Sequence, residues 1–313
     1  MKRTTSLLYL FLFIFLVAFS SEIRSQDDKF FEGKWDMTLQ MDGKEAPSWL
    51  EIKHSGVQTL VGRFVYASGS ARPISEIVVE NGSFSFTIPP QWEQDLGDIT
   101  VKGTKDGEGL KGTLSFENGK THKFTADRAP KLAYTEKVKW GKTKDLFNGK
   151  NLEGWKALGE NQWVVENGIL KSPKSGANLV SEEKFNDFKI HVEFKVPEGS
   201  NSGIYLRGRY EVQITDDHGS DPSNVLFGGV YGFLTPNEMA ANPATEWQTY
   251  DITLIGRRVT IVANGKTIIS EQNIPGITGG ALDSKEGEPG PFYIQGDHGP
   301  ISFRKFTVTP RVE

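Results

Sequence analysis

Ser202–Thr215 reads SGIYLRGRYEVQIT. Its residues alternate strictly. Side chains swap faces at every residue of an extended strand, so Ile204, Leu206, Gly208, Tyr210, Val212 and Ile214 share one face. Tyr205, Arg207, Arg209, Glu211, Gln213 and Thr215 share the other. The first face is ordinary core. The second carries two arginines, a glutamate, a glutamine and a tyrosine in register, where a solvated face usually mixes Lys, Thr, Ser and Glu. That row reads as a ligand surface. The plainer reading is an exposed face with cross-strand ion pairs.

The same period of two extends along the chain on both sides. Upstream, residues 27–128 contain short alternating runs separated by Asp42-Gly43, Asn81-Gly82, Asp106-Gly107 and Asn118-Gly119. Asx-Gly between alternating runs is a strong hairpin signal, so this unit is expected to be a small antiparallel β-barrel or sandwich. Its opening Gly33-Lys34-Trp35 is expected to place Trp35 as a core plug. Residues 129–144 hold Pro130 and several lysines with little apolar periodicity, as in a solvated connector. Residues 145–311 return to strand-like runs with long loops, which fits a two-sheet jelly-roll sandwich. The fold class is therefore all-β throughout.

Composition narrows the function classes. A formal charge of -4 gives no electrostatic case for nucleic acid or an anionic membrane. Lys2 and Arg3 precede an apolar run from Leu7 to Phe19, with small residues at Ala18, Ser20, Ser21 and Ser25. That pattern reads as a secretory signal over residues 1–25, cleaved near Ser21 or near Gln26. An uncleaved anchor is the second reading. Without it, no membrane insertion is expected after cleavage. The chain has no cysteine, so disulfides and a lipid-modified cysteine are impossible. An exported chain that needs no disulfides fits a bacterial periplasm or cell exterior.

Three ordered motifs of the second unit carry a family resemblance. The first is Asp145-Leu146-Phe147-Asn148-Gly149-Lys150-Asn151-Leu152-Glu153-Gly154-Trp155. SGIYLRGRYEVQ is the second. The third is Gly290-Pro291-Phe292-Tyr293-Ile294-Gln295-Gly296-Asp297-His298-Gly299, followed by Phe303-Arg304-Lys305-Phe306. Together they resemble the 3-keto-disaccharide hydrolase domain family of bacterial exported proteins. The resemblance implies a concanavalin-like jelly roll and cleavage of sugars already oxidised at C3, by a hydrolase or lyase. Where many relatives read Phe-Arg-Asn-Ile, this chain reads Phe303-Arg304-Lys305-Phe306. Asn264-Gly265 is a fold marker closing a hairpin and carries no catalytic weight.

A ketone at C3 acidifies the C2 proton. Its removal gives an enediolate that expels the C1 substituent, and water can add to the resulting enone. This chemistry needs a base at C2, an electrophile at the C3 oxygen and an acid at the leaving oxygen. Glu211 is the expected base, on a rigid strand. Arg207 and Arg209 are expected to position it or stabilise the enediolate, at the cost of lowering its pKa. His298 is the expected proton shuttle. Tyr205, Gln213, Gln295, Asp297 and Tyr231 are expected to bind substrate. Phe233, Trp247 and Tyr293 are further candidates for stacking on sugar rings. The motifs name no cofactor. A divalent metal that polarises the C3 ketone is a further expectation, with Asp216 and His218 as ligands beside Asp217.

Two other functions compete. One is a non-catalytic carbohydrate-binding module of the same fold. The other is an ordinary glycosidase, which needs two carboxyl groups flanking one bond. The Glu-x-Asp-x-x-Glu pattern of laminarinase-type enzymes is absent from Glu211-Val212-Gln213-Ile214. The chain also lacks a GxGxxG motif on a strand–helix unit, so a separate oxidoreductase is expected to make the 3-keto sugar.

Overall fold

A computed structural model describes residues 29–132 and 137–312. The expected signal segment, 1–25, lies outside the described residues, as do residues 133–136 of the expected connector.

Eight strands close into an up-and-down barrel: β1 (Gly33–Met41), β2 (Lys44–Ser55), β3 (Thr59–Val65), β4 (Arg72–Glu80), β5 (Ser83–Ile88), β6 (Ile99–Asp106), β7 (Gly109–Phe116) and β8 (Thr121–Arg128). β8 pairs back onto β1, so no edge is left open. The Asx-Gly signals fold as hairpins. Asp42 and Gly43 have φ of 50° and 78°, and Asn81 and Gly82 have 52° and 72°. Both central positions of these turns need positive φ, which Asn, Asp and Gly tolerate best. Inward residues alternate with outward ones, as in β8, where His122, Phe124 and Ala126 are buried between exposed neighbours. Gly103 and Gly112 face each other across β6 and β7. A Cβ on Gly103 would lie 2.3 Å from the Phe84 ring, and one on Gly112 2.7 Å from the Phe124 ring. Bare backbone here makes room for the rings that fill the barrel. Trp35 is fully buried and donates from Nε1 to the Phe31 carbonyl at 2.8 Å, as expected of a core plug.

The remaining strands form two stacked sheets. The smaller runs in the order Trp155–Ala157, Leu179–Phe185, Gly290–Ile294, Asn201–Leu206, Tyr210–Thr215. The larger has Val164–Glu166, Ile169–Ser172, Ile301–Val312, Phe188–Lys195, Gln248–Ile255, Arg258–Ala263 and Lys266–Asn273 along its main path. Their facing side chains interlock: Phe188 of the larger sheet meets Phe292 of the smaller with ring centroids 4.7 Å apart. Removing such a buried ring costs about 3–5 kcal/mol. Asn264 accepts from the Thr249 amide at 2.7 Å and donates to the Ala240 carbonyl at 2.8 Å, which makes it the structural turn residue its motif implied. The connector is not wholly solvated. Lys139–Trp140 and Lys144–Asp145 pair with the long last strand, which offers them a free edge.

A third, small core joins barrel to sandwich. Trp49 and Val65 of the barrel pack against Ile277, Ala281 and Phe233. The Trp49 and Phe233 rings meet edge to face at 5.2 Å. Gly276 has no side chain because a Cβ there would overlap Trp49 Nε1 at 2.0 Å. Ser284 donates to the Met37 carbonyl at 2.6 Å. Beside these contacts, Asp36 of β1 lies close to Glu286, which is fully buried and paired with Arg257. Burial and the Glu286 charge push the Asp36 carboxyl up to about 8.

That shift makes the folded protein pH-sensitive. Unfolding returns Asp36 to its ordinary value of 3.8, so the folded state holds a proton that the unfolded state releases. The associated stability is complete below about pH 4 and is lost as pH rises through about 8. Asp36→Asn keeps the shape without the titration. Its melting temperature should fall less than that of the wild type between about pH 5 and pH 9. Parallel curves for the two proteins would show that Asp36 is not held protonated.

Candidate active site

The SGIYLRGRYEVQIT stretch folds as a hairpin, not as one strand. The chain turns at Arg207 and Gly208, where φ is 54° and 68°. Asn201–Leu206 then pairs with Tyr210–Thr215, Tyr205 opposite Glu211 and Gly203 opposite Gln213. Odd residues pair with odd, so the two faces read from the sequence survive the turn.

Glu211 is buried, with 3% of its surface exposed. Its carboxyl fills a hollow left by Gly203, where a Cβ would lie 2.3 Å from Oε1. The Tyr205 hydroxyl stands 3.0 Å from Glu211 Oε2 and 2.9 Å from the Gly279 carbonyl. It also accepts from Gln295 Nε2 at 3.2 Å. Tyr205 has one proton for two acceptors. Ionised Glu211 would draw the tyrosine proton away from Gly279. Burial pushes the Glu211 carboxyl up to about 8, opposed by the Tyr205 hydrogen bond and the His298 charge. Tyr205 itself is held neutral, its pKa raised well above its usual value by burial and the neighbouring Glu211.

His298 faces the same cavity from the loop after Gly290–Ile294. Its Nδ1 lies 2.6 Å from Asp297 Oδ1. That hydrogen bond raises the His298 pKa against the opposing effect of burial. It also leaves Nε2 as the ring nitrogen available to a ligand. Asn178 fixes this loop: its side-chain oxygen accepts from the Gly296 amide at 2.7 Å, and its nitrogen donates to Tyr293 at 2.6 Å. Burial works to raise the Asp297 carboxyl, but hydrogen bonds from His298 and Asn178 hold it below its usual value. Asp297 thus holds the imidazole and does not line the cavity itself.

The cavity measures about 680 Å³. That lies within the roughly 300–1,000 Å³ typical of small-molecule sites. Tyr205, Glu211, Gln213, Tyr231, Gln295 and His298, all expected from the sequence, line it together. Three side-chain oxygens along the wall, from Asn201, Gln213 and Gln295, are buried without a hydrogen-bond partner. Buried amide groups left unpaired are costly, and in a polar cavity they are ready for a hydroxyl-rich ligand. Val225 and Tyr231 come from the long segment between Asp217 and Glu246, whose Gly229 carbonyl and Tyr231 amide bond the Tyr210–Thr215 backbone. Ser68, Gly69, Gln91 and Trp92 also line the cavity, and these belong to the barrel. No pattern around them marks a site, because the match between two separate folding units is invisible along the chain.

Several expected site residues lie elsewhere. Arg207 points away from Glu211 and donates to the Tyr210 hydroxyl at 3.0 Å and the Gly256 carbonyl at 2.7 Å. Arg209 pairs with Asp283 at 2.7 Å and donates to the Glu288 carbonyl at 2.8 Å. The turn swings both guanidinium groups out of the row, so they anchor the hairpin tip to residues 256 and 283–288. With neither cation beside it, Glu211 is raised, not lowered as the row implied. The expected metal ligands do not converge either. Asp216 accepts from the Gly199 amide at 3.2 Å, and His218 Nδ1 bonds the Ala241 carbonyl at 2.7 Å. Among the described residues no group of three or more His, Cys, Asp or Glu side chains gathers to hold an ion. Of the aromatics, Phe233 packs on Trp49, Trp247 lies under Arg304, and Tyr293 stacks behind Tyr205 at 4.5 Å.

Residues 142–309 match the model of the 3-keto-alpha-glucoside-1,2-lyase-like domain. The match covers more than half of the 313 residues, and the chain belongs to that family. A protein of Bacteroides thetaiotaomicron named 3-keto-disaccharide hydrolase is 33% identical over 89 residues. That stretch is 24% of this chain and 30% of the relative, so the chain spans under a third of its length. A crystal structure from Parabacteroides distasonis, provisionally described as a glycosyl hydrolase, is 28% identical with a TM-score of 0.47. It covers 57% of this chain and 93% of the other. A second structure from the same organism, described likewise, is 23% identical with a TM-score of 0.44, over 54% and 98% of the two chains.

The Tyr205 hydroxyl lowers the Glu211 pKa, so Tyr205→Phe should move it higher still. Carboxyl carbon NMR should find Glu211 titrating near 8 in the wild type and above that in Tyr205→Phe. A midpoint in the ordinary carboxylate range would contradict the buried setting of this carboxyl.

Proposed function

We propose that this chain cleaves 3-keto-glycosides by proton abstraction at C2, elimination of the C1 substituent and addition of water. The observation that carries the reading is the lone carboxyl of Glu211 on the cavity wall, poised near 8, with the His298–Asp297 pair lining the same space. A general base works best when its pKa lies near the operating pH. The names of the family and of the B. thetaiotaomicron relative support the substrate class. No second carboxyl lines the cavity among the described residues, which disfavours the two-carboxylate route of ordinary glycosidases.

In this mechanism the ionised Glu211 takes the C2 proton. The C2 electron pair moves toward C3 and leaves an enediolate oxygen. The unpartnered amide oxygens of Asn201, Gln213 and Gln295 accept from the sugar hydroxyls and hold the ring in place. Collapse of the enediolate forms the C1–C2 double bond and breaks the bond from C1 to the leaving oxygen. Imidazolium His298 gives that oxygen its proton. Water then adds across the enone, with the two groups in reversed roles, and net hydrolysis results. The 3-keto substrate implies an oxidoreductase acting earlier at C3. The leader-like run from Leu7 to Phe19 supports a site of action outside the cytoplasm.

Glu211→Gln should lower turnover of a 3-keto-glucoside by at least about 100-fold. In the wild type kcat/KM should rise with pH through a limb near 8, as Glu211 loses its proton. Neither protein should cleave the unoxidised parent sugar. Cleavage of the parent, or full activity in Glu211→Gln, would remove Glu211 as the base. Gly203→Ala should cost about 100-fold in kcat, because its methyl displaces the carboxyl from its hollow. Unchanged kcat in that variant would show that the position of the carboxyl is not critical.

A further inference from the structure

The matched family region begins at residue 142, yet part of the cavity wall is built by the barrel. Two barrel loops reach it, Tyr66–Ala71 between β3 and β4, and Pro89–Asp98 between β5 and β6. Gln91 locks these loops together. Its side chain accepts from the Ser70 amide at 3.0 Å and donates to Ser70 Oγ at 2.9 Å. Glu93 Oε2 accepts from the Trp92 amide at 3.1 Å and fixes the backbone that carries the indole. The Gly280 amide donates to the Ala67 carbonyl at 2.9 Å. Gly279 lies so close to the Gly69 backbone that a Cβ would come within 2.1 Å of its carbonyl oxygen. Gly279 is also the residue whose carbonyl faces Tyr205. The barrel loops therefore rest directly on the backbone that supports the Glu211 hollow.

Trp92 stands at this seam with 67% of its surface exposed, the most exposed tryptophan of the described chain. It lines the cavity, and its backbone is pinned. An exposed aromatic held at the edge of a polar cavity presents a flat apolar face at small entropic cost. Glu211 is buried in the cavity wall, where the reacting carbons must sit, and Trp92 stands at the exposed edge, where a second ring would project beyond the first.

We propose that the barrel supplies a leaving-group subsite, in which Trp92 stacks on the second ring of a 3-keto-disaccharide or of an aryl 3-keto-glycoside. The subsite makes the enzyme selective for ring-bearing leaving groups over small alkyl ones. Gln91 is the positioning residue that holds the two loops and the indole in place. This inference rests on reading the cavity as a 3-keto-glycoside site.

The test separates the subsite from the chemistry by measuring binding. Calorimetry on Glu211→Gln and on Glu211→Gln/Trp92→Ala would compare a 3-keto-disaccharide with methyl 3-keto-glucoside. Loss of the indole should weaken the disaccharide by roughly threefold to tenfold, the fold-change that an aromatic stacking contact represents. Binding of the methyl glycoside should change by less than about twofold, a loss too small for a stacking contact. Trp92→Phe should restore most of the lost affinity. Equal loss for both ligands, no loss for either, or no binding of the disaccharide would overturn the subsite. Turnover by the wild type reports separately on the elimination chemistry. A wild type that binds the disaccharide through Trp92 but cleaves neither ligand would overturn the chemistry and keep the subsite.

Discussion

The candidate site depends on one carboxyl kept out of water. Glu211 sits in a hollow created by the missing side chain of Gly203, covered by Tyr205 and reached from the cavity. Taking a carboxylate from water is costly unless it is paired, and among the described residues no cation bonds it. The group resolves that conflict by keeping its proton to about 8. The folded protein carries this as a loss of stability toward alkaline pH, and the same property gives a base of useful strength at an ordinary pH. Stability is exchanged for reactivity at a single residue.

The rest of the structure keeps that hollow buried and rigid. The hairpin is tied at its tip by Arg207 and Arg209, which bond residues 210, 256, 283 and 288 and not the site. Its free edge is covered by the backbone of residues 228–231. Tyr205 is fixed from behind by the stacked ring of Tyr293 and from the side by Gly279. The glycine loop is backed in turn by the barrel, through Ala67, Gly69 and the small core around Trp49. A substitution at this junction can reach Glu211 without touching the cavity, because packed backbone has little room to give.

Much of this was legible along the chain. Alternation placed Tyr205, Glu211 and Gln213 on one face, and that assignment holds because the hairpin register keeps odd residues opposite odd. Asx-Gly pairs marked the barrel turns, and Asn264-Gly265 marked the sandwich hairpin. The turn at Arg207-Gly208 was hidden because arginine seldom takes positive φ, so nothing there announces a break. The turn swings Arg207 and Arg209 away from Glu211, so the alternating row implies two cations and a lowered carboxyl where the structure has neither. The contribution of Gln91 and Trp92 was hidden for a different reason. They meet the site only through packing between two units, and packing between units has no period in the sequence.

The most direct test of the central claim is a kinetic isotope effect at C2. Cleavage of a 3-keto-glucoside deuterated at C2 would be compared with the unlabelled sugar, at a pH below the Glu211 limb. A primary isotope effect on kcat/KM is expected, because the C2–H bond breaks before the leaving group departs. Equal rates for the two sugars, with an isotope effect at C1 in place of C2, would contradict it. Bond cleavage would then begin at the anomeric carbon, and Glu211 would not be its base.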